Sequence, residues 1–102
     1  MAVHRWNETI DGPFSEEALR RKLQAAGYLV AKHTYAPGTT LPDRVHDADR
    51  IDAVLSGRFR MIVAGHLAML GPGDWIEVPR GVRYSAAVIG HDPVTGFDAI
   101  RP

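Results

Sequence analysis

The rhythm of hydrophobic and polar residues changes once along this chain, close to Gly27. Before that point, the stretch SEEALRRKLQAAGY sets Ala18, Leu19, Leu23 and Ala26 on one apolar stripe at helical spacing. Ser15 suits the N-cap, Glu16 and Glu17 fall where the helix dipole favours negative charge, and Gly27 is a natural stop. These signals predict one helix of about three turns, packed on the outside of a sheet. Ahead of it, the first dozen residues read as a short arm or edge strand, broken by the Asp-Gly-Pro of Asp11 to Pro13.

After Gly27, apolar runs about four to eight residues long alternate with Gly/Pro turns spaced roughly eight to twelve residues apart. The turns fall at Pro37, Gly57, Gly65, Gly71 to Asp74, Gly81 and Gly90 to Pro93. Val, Ile, Tyr and Trp are frequent in the runs, as pleated strands prefer. Within the run at Trp75, alternation puts Trp75 and Glu77 on one face, Ile76 and Val78 on the other. The pattern predicts an all-β domain, a barrel or sandwich, over residues 28–102. The arm and helix of residues 1–27 belong to the same domain.

Composition narrows the setting without changing that picture. A chain of 102 residues, 45% hydrophobic and 24% charged, is an ordinary single globular domain. Twelve Lys and Arg balance twelve Asp and Glu, so nothing favours a nucleic-acid partner, and zero net charge does little to keep copies apart. The absence of cysteine excludes disulfides and thiolate chemistry. With no leader-like apolar run and no stretch of membrane-spanning length, a cytoplasmic protein without membrane partners is expected.

The turns also come at telling distances. Gly38, Arg44, His46, Arg50 and Gly57 fall on the spacing G-x5-H-x-H-x3-E-x6-G, and Gly73, Pro79, Gly81, Tyr84 and Val88 fall on G-x5-P-x-G-x2-H-x3-N. With all the glycines and the proline in place, the chain resembles the cupin family from about Tyr28 onward. The resemblance implies a single jelly-roll β-barrel with the helix packed outside. It also implies a metal (Fe, Mn, Ni or Zn) held by the three histidines and the carboxylate of the two motifs, and dimers formed by pairing sheets.

Three of those four ligand positions are substituted here: Arg44 for a histidine, Arg50 for the carboxylate and Tyr84 for the last histidine. A guanidinium has no lone pair to offer and repels a cation. The expected barrel therefore carries no metal, unless His46 finds other ligands such as His33 or Asp49, with Tyr84. The substituted set of Arg44, His46, Arg50 and Tyr84 suits a small anion, because guanidinium grips carboxylates in bidentate fashion. Two other fates compete. Arg50 and Asp52 are two apart on one strand and can pair internally, and Arg44 can turn to solvent. His33 has its own competing role at the surface or barrel mouth, and solvent exposure is expected for His4, His66 and His91.

The function these residues support is a small-molecule-binding cupin, homodimeric, without the usual metal. A metal-dependent enzyme of dioxygenase or isomerase type is the alternative. A third class, a metal-free enzyme with His46 as base and Tyr84 as acid, asks only that the two come within hydrogen-bond reach. Whether there is turnover, and of what substrate, is left open by these residues.

Overall fold

The helix forms where its caps place it. In the computed structural model, which describes residues 2–102, the Ser15 hydroxyl accepts the Ala18 N–H at 3.0 Å and opens α2, Glu16–Ala25. Leu19 and Leu23 are its buried residues, and Gly27 follows with φ of 92°. Ahead of α2 lie strand β1 (Val3–Arg5) and a single helical turn, α1 (Glu8–Asp11), that the sequence pattern did not predict. Its signal was local and short: Asn7 accepts from the Thr9 N–H, and Gly12 terminates the turn.

Eight further strands follow: β2 (Leu29–Tyr35), β3 (Thr40–Val45), β4 (Asp49–Ser56), β5 (Phe59–Val63), β6 (His66–Leu70), β7 (Asp74–Val78), β8 (Arg83–Val88) and β9 (Val94–Arg101). They form two antiparallel sheets, ordered β1-β7-β4-β9-β2 and β3-β8-β5-β6. The arm is thus an edge strand, paired to β7 through Val3 and Ile76. The two sheets face each other as a jelly roll, and α2 lies outside the five-stranded one.

Alternation along each strand sorts the core into two layers. Val54, Met61, Val63, Ile76, Val78 and Val94 belong to the layer between the sheets. On the other face of the five-stranded sheet, Ile51, Ala53, Trp75 and Phe97 meet Leu19 and Leu23 of α2. The helix therefore covers β4 from outside while the second sheet covers it from inside, and Arg50 to Val54 are buried without interruption. That continuous burial includes two charged residues, Arg50 and Asp52.

Gly57 closes the end of β4 with φ of 85°, and a Cβ there would run into the Pro93 carbonyl oxygen. Gly38 has a similar φ of 81° but open space around it. A side chain at Gly38 costs only the left-handed backbone, about 1–2 kcal/mol, whereas one at Gly57 must also displace backbone. Gly57→Ala is expected to lose clearly more stability than Gly38→Ala in urea denaturation. Equal losses would show that the β4 turn yields freely.

Candidate functional site at the barrel mouth

Strand pairing brings the polar residues together from β2, β3, β4, β8 and β9 and from the loop after β3. On β4, Arg50 and Asp52 share the inward face with Val54. Asp98 of β9 stands directly opposite Asp52 in register, so it too points inward. On β2, Ala31, His33 and Tyr35 pair with Asp98, Gly96 and Val94, which puts the two rings on the same inner face. On β8, Tyr84 is buried opposite Arg44 of β3. The loop after β3 is tied to the turn before β8 by the Gly81 N–H, which donates to the His46 carbonyl at 2.8 Å.

Arg50 is the hub. Its side chain is 6% exposed. Nε donates to Asp52 Oδ2 at 3.2 Å and Nη2 to Asp52 Oδ1 at 2.8 Å, a forked pair. Nη2 also lies 2.6 Å from Asp98 Oδ1. That contact is one of charge without hydrogen-bond alignment, for this buried oxygen has no aligned donor. Nη1 donates to the Tyr84 hydroxyl at 2.7 Å and lies 3.3 Å from His46 Nε2. Because guanidinium can only donate, Nε2 accepts, which puts the His46 ring proton on Nδ1. The guanidinium carbon also sits 4.9 Å over the Tyr84 ring. Four of its five N–H groups thus meet hydrogen-bond partners within the chain, and Asp98 adds a contact of charge.

One guanidinium faces two carboxylates, and the titration behaviour follows from that count. Burial opposes the charge on Arg50, but Asp52 and Asp98 outweigh it and hold the group above its ordinary value. Burial pushes the Asp52 carboxyl up; Arg50 draws it back only in part, and Asp98 adds repulsion. Burial likewise raises the Tyr84 and Tyr35 phenols, while Arg50 and Arg44 oppose the rise.

The remaining sequence candidates separate. Arg44 is exposed at the rim, its charge close enough to act on both phenols, and it has no ion-pair or hydrogen-bond partner among the described residues. Asp49 takes the other face of β4: its Oδ1 accepts the Arg80 N–H at 2.9 Å and its Oδ2 lies 3.4 Å from Arg101. It is not brought to His46. His33 is half-buried, its ring 4.4 Å from that of Tyr35. Among the described residues, no group of three or more His, Asp or Glu side chains is placed to hold a metal ion. His66 and His91 are exposed, and so is His4, which stacks on Trp75 at 5.5 Å. Asp98 was not singled out from sequence, although alternation from Val94 through Gly96 puts it on the inner face. A cavity of about 140 Å³ reaches Arg50 from the side of Tyr28, Asp49, Glu77 and Arg101, away from His46, and Arg44, His46 and Tyr84 are not among its lining residues.

The sequence of residues 31–100 matches the family model for the cupin domain. The chain belongs to the cupin family. No curated protein matches it in sequence. Among solved structures, the cupin domain of Schizosaccharomyces pombe Cnp3 superposes with a TM-score of 0.68 at 18% identity, covering 74% of this chain and 56% of that one. KdgF from a Halomonas species gives 0.65 at 19% identity, covering 74% of this chain and 70% of its own. The DMSP lyase DddQ from Ruegeria pomeroyi gives 0.67 at 23% identity, but this chain spans 39% of its length. At these identities the likeness is one of fold. No helix is long and apolar enough to cross a membrane among the described residues.

His33 supplies a pH test. Burial holds its imidazole below the ordinary 6.5, with Asp98 and Asp52 pulling the other way. The unfolded chain therefore takes up this proton at a higher pH than the folded one. The contribution of His33 to stability is complete above 6.5 and is lost as pH falls through the lowered value. Between about pH 7.5 and about pH 5.5 the denaturation midpoint should fall less steeply for His33→Gln than for the wild type. Parallel curves would remove His33 as a contributor.

Proposed function

We propose that this cupin binds a small carboxylate or similar anion at the barrel mouth without a metal ion, with Arg44 as the receiving cation and His46 and Tyr84 beside it. The observation that carries this reading is the contrast between the two arginines. Arg50 directs its donors at Asp52, Tyr84 and His46 and lies against Asp98, whereas Arg44 on the rim has no ion-pair partner among the described residues. Arg50 then holds His46 and Tyr84 in place, and Arg44 offers an unused fork. Tyr84 accepts from Arg50 and keeps its own proton to donate.

The donor chemistry supports a metal-free site. Where the family motifs supply three imidazoles and a carboxylate, this chain places Arg44, His46, Arg50 and Tyr84, and a guanidinium stands among the remaining donors. Those residues do not fit a divalent ion. A thermal-shift screen of small mono- and dicarboxylates should find a stabilising ligand whose affinity drops at least about tenfold in Arg44→Ala, the loss of one charge-assisted contact. No stabilising carboxylate, or equal binding by Arg44→Ala, would refute the anion site. Near-stoichiometric Fe, Mn, Ni or Zn in untagged protein, lost in His46→Ala, would refute the metal-free half.

Self-association through the outer face of the four-stranded sheet is part of the same proposal. Ile62, Leu67 and Met69 are 42%, 65% and 37% exposed there, while the outer face of the other sheet is already covered by α2. A two-fold pairing of these faces is the economical arrangement. Sedimentation should give a dimer at micromolar concentration that Leu67→Glu weakens; a monomeric wild type would end the idea.

A further inference from the structure

Four acceptors from four segments converge on a single cation: Asp52 of β4, Asp98 of β9, Tyr84 of β8 and His46 of the loop between β3 and β4. Two of them, His46 and Tyr84, occupy positions from which the family motifs supply metal ligands, and both are directed at Nη1 of Arg50. The other two are carboxylates set directly opposite each other in register, on inward faces. Asp52 is buried and Asp98 half-buried, and two carboxylates held face to face with little water repel and are stabilised by a positive charge between them.

We propose that the Arg50 guanidinium is the resident cation of this barrel. Asp52, Asp98, Tyr84 and His46 constitute a cation receptor whose ligand is a side chain of the same chain, and which accepts a free cation of the guanidinium class once Arg50 is shortened. The tethered cation supplies the charge and organising contacts of a bound ion and cannot be lost to chelation. Unlike a metal it has no open coordination position, so it orients His46 and Tyr84 without activating a ligand as a Lewis acid. The inference rests on the metal-free half of the proposed function and is independent of which molecule, if any, binds at Arg44.

The test uses the full chain carrying Arg50→Ala, with ethylguanidinium chloride as the probe and equal sodium chloride as the control. The variant should melt well below the wild type, and about 10 mM ethylguanidinium should raise its melting temperature by about 4 °C or more. The rise should be absent in the wild type and in Arg50→Ala/Asp52→Asn, where the forked carboxylate is gone. A folded Arg50→Ala that melts like the wild type, or that gains nothing selective from the probe, overturns the proposal. If Arg50→Ala does not fold, Arg50→Met and Arg50→Met/Asp52→Asn decide. The single variant, which strands a buried carboxylate, should be the less stable of the two. Equal or reversed stability overturns it. A carboxylate screen that fails while the rescue succeeds removes the anion site and leaves the resident cation standing.

Discussion

A charge buried in a strand that is covered on both faces must find its partners inside the protein, and Arg50 imposes that constraint on this barrel. β4 runs through the five-stranded sheet with α2 on one side and the second sheet on the other. Little of the guanidinium is exposed to water there, so carboxylate, phenol and imidazole stabilise it instead. Meeting that demand fixes the inward orientation of Asp52 and Asp98, the position of the Tyr84 hydroxyl and the acceptor nitrogen of His46. The polar cluster inside the barrel is organised from this one side chain outward.

The scaffold makes such an arrangement possible. Helix α2 packs Leu19 and Leu23 against Phe97 and Trp75 on the outer face of the five-stranded sheet. The turn at Pro79 to Gly81 ties its backbone to the His46 carbonyl, which brings the two motif segments to the same end of the barrel. These are features of turns and packing. They persist when the polar side chains are exchanged, which is how one fold carries different chemistry at the same place.

Charge balance distinguishes the inner part of the site from its rim. Inside, two carboxylates share one guanidinium, and burial holds the Asp52 carboxyl high while the same carboxylates keep Arg50 charged. At the rim, Arg44 has no such partner among the described residues. The structural neighbours, at 18% to 23% identity, share the barrel. Three of the family's four ligand positions carry other residues in this chain: Arg44, Arg50 and Tyr84.

Much of the architecture was legible in short stretches of sequence. The Ser15 cap, the Leu19/Leu23 stripe and the Gly27 stop define α2 because capping and helical periodicity act over a few residues. The Gly/Pro turns and the spacing of Gly38, Gly57, Gly73 and Gly81 marked a cupin barrel, since turn chemistry is local as well. Even the pairing of Arg50 with Asp52 was visible as one alternative, because residues two apart on a strand share a face. The turn of α1 escaped because four residues carry too little pattern. Tertiary structure alone decided that Asp98 lies opposite Asp52, that Asp49 turns away to Arg80 and Arg101, and that Arg50 is enclosed while Arg44 is left at the rim. Alternation along a strand says which residues share a side. Which side faces the interior, and what stands across from it, is set by strand pairing between segments far apart in the chain.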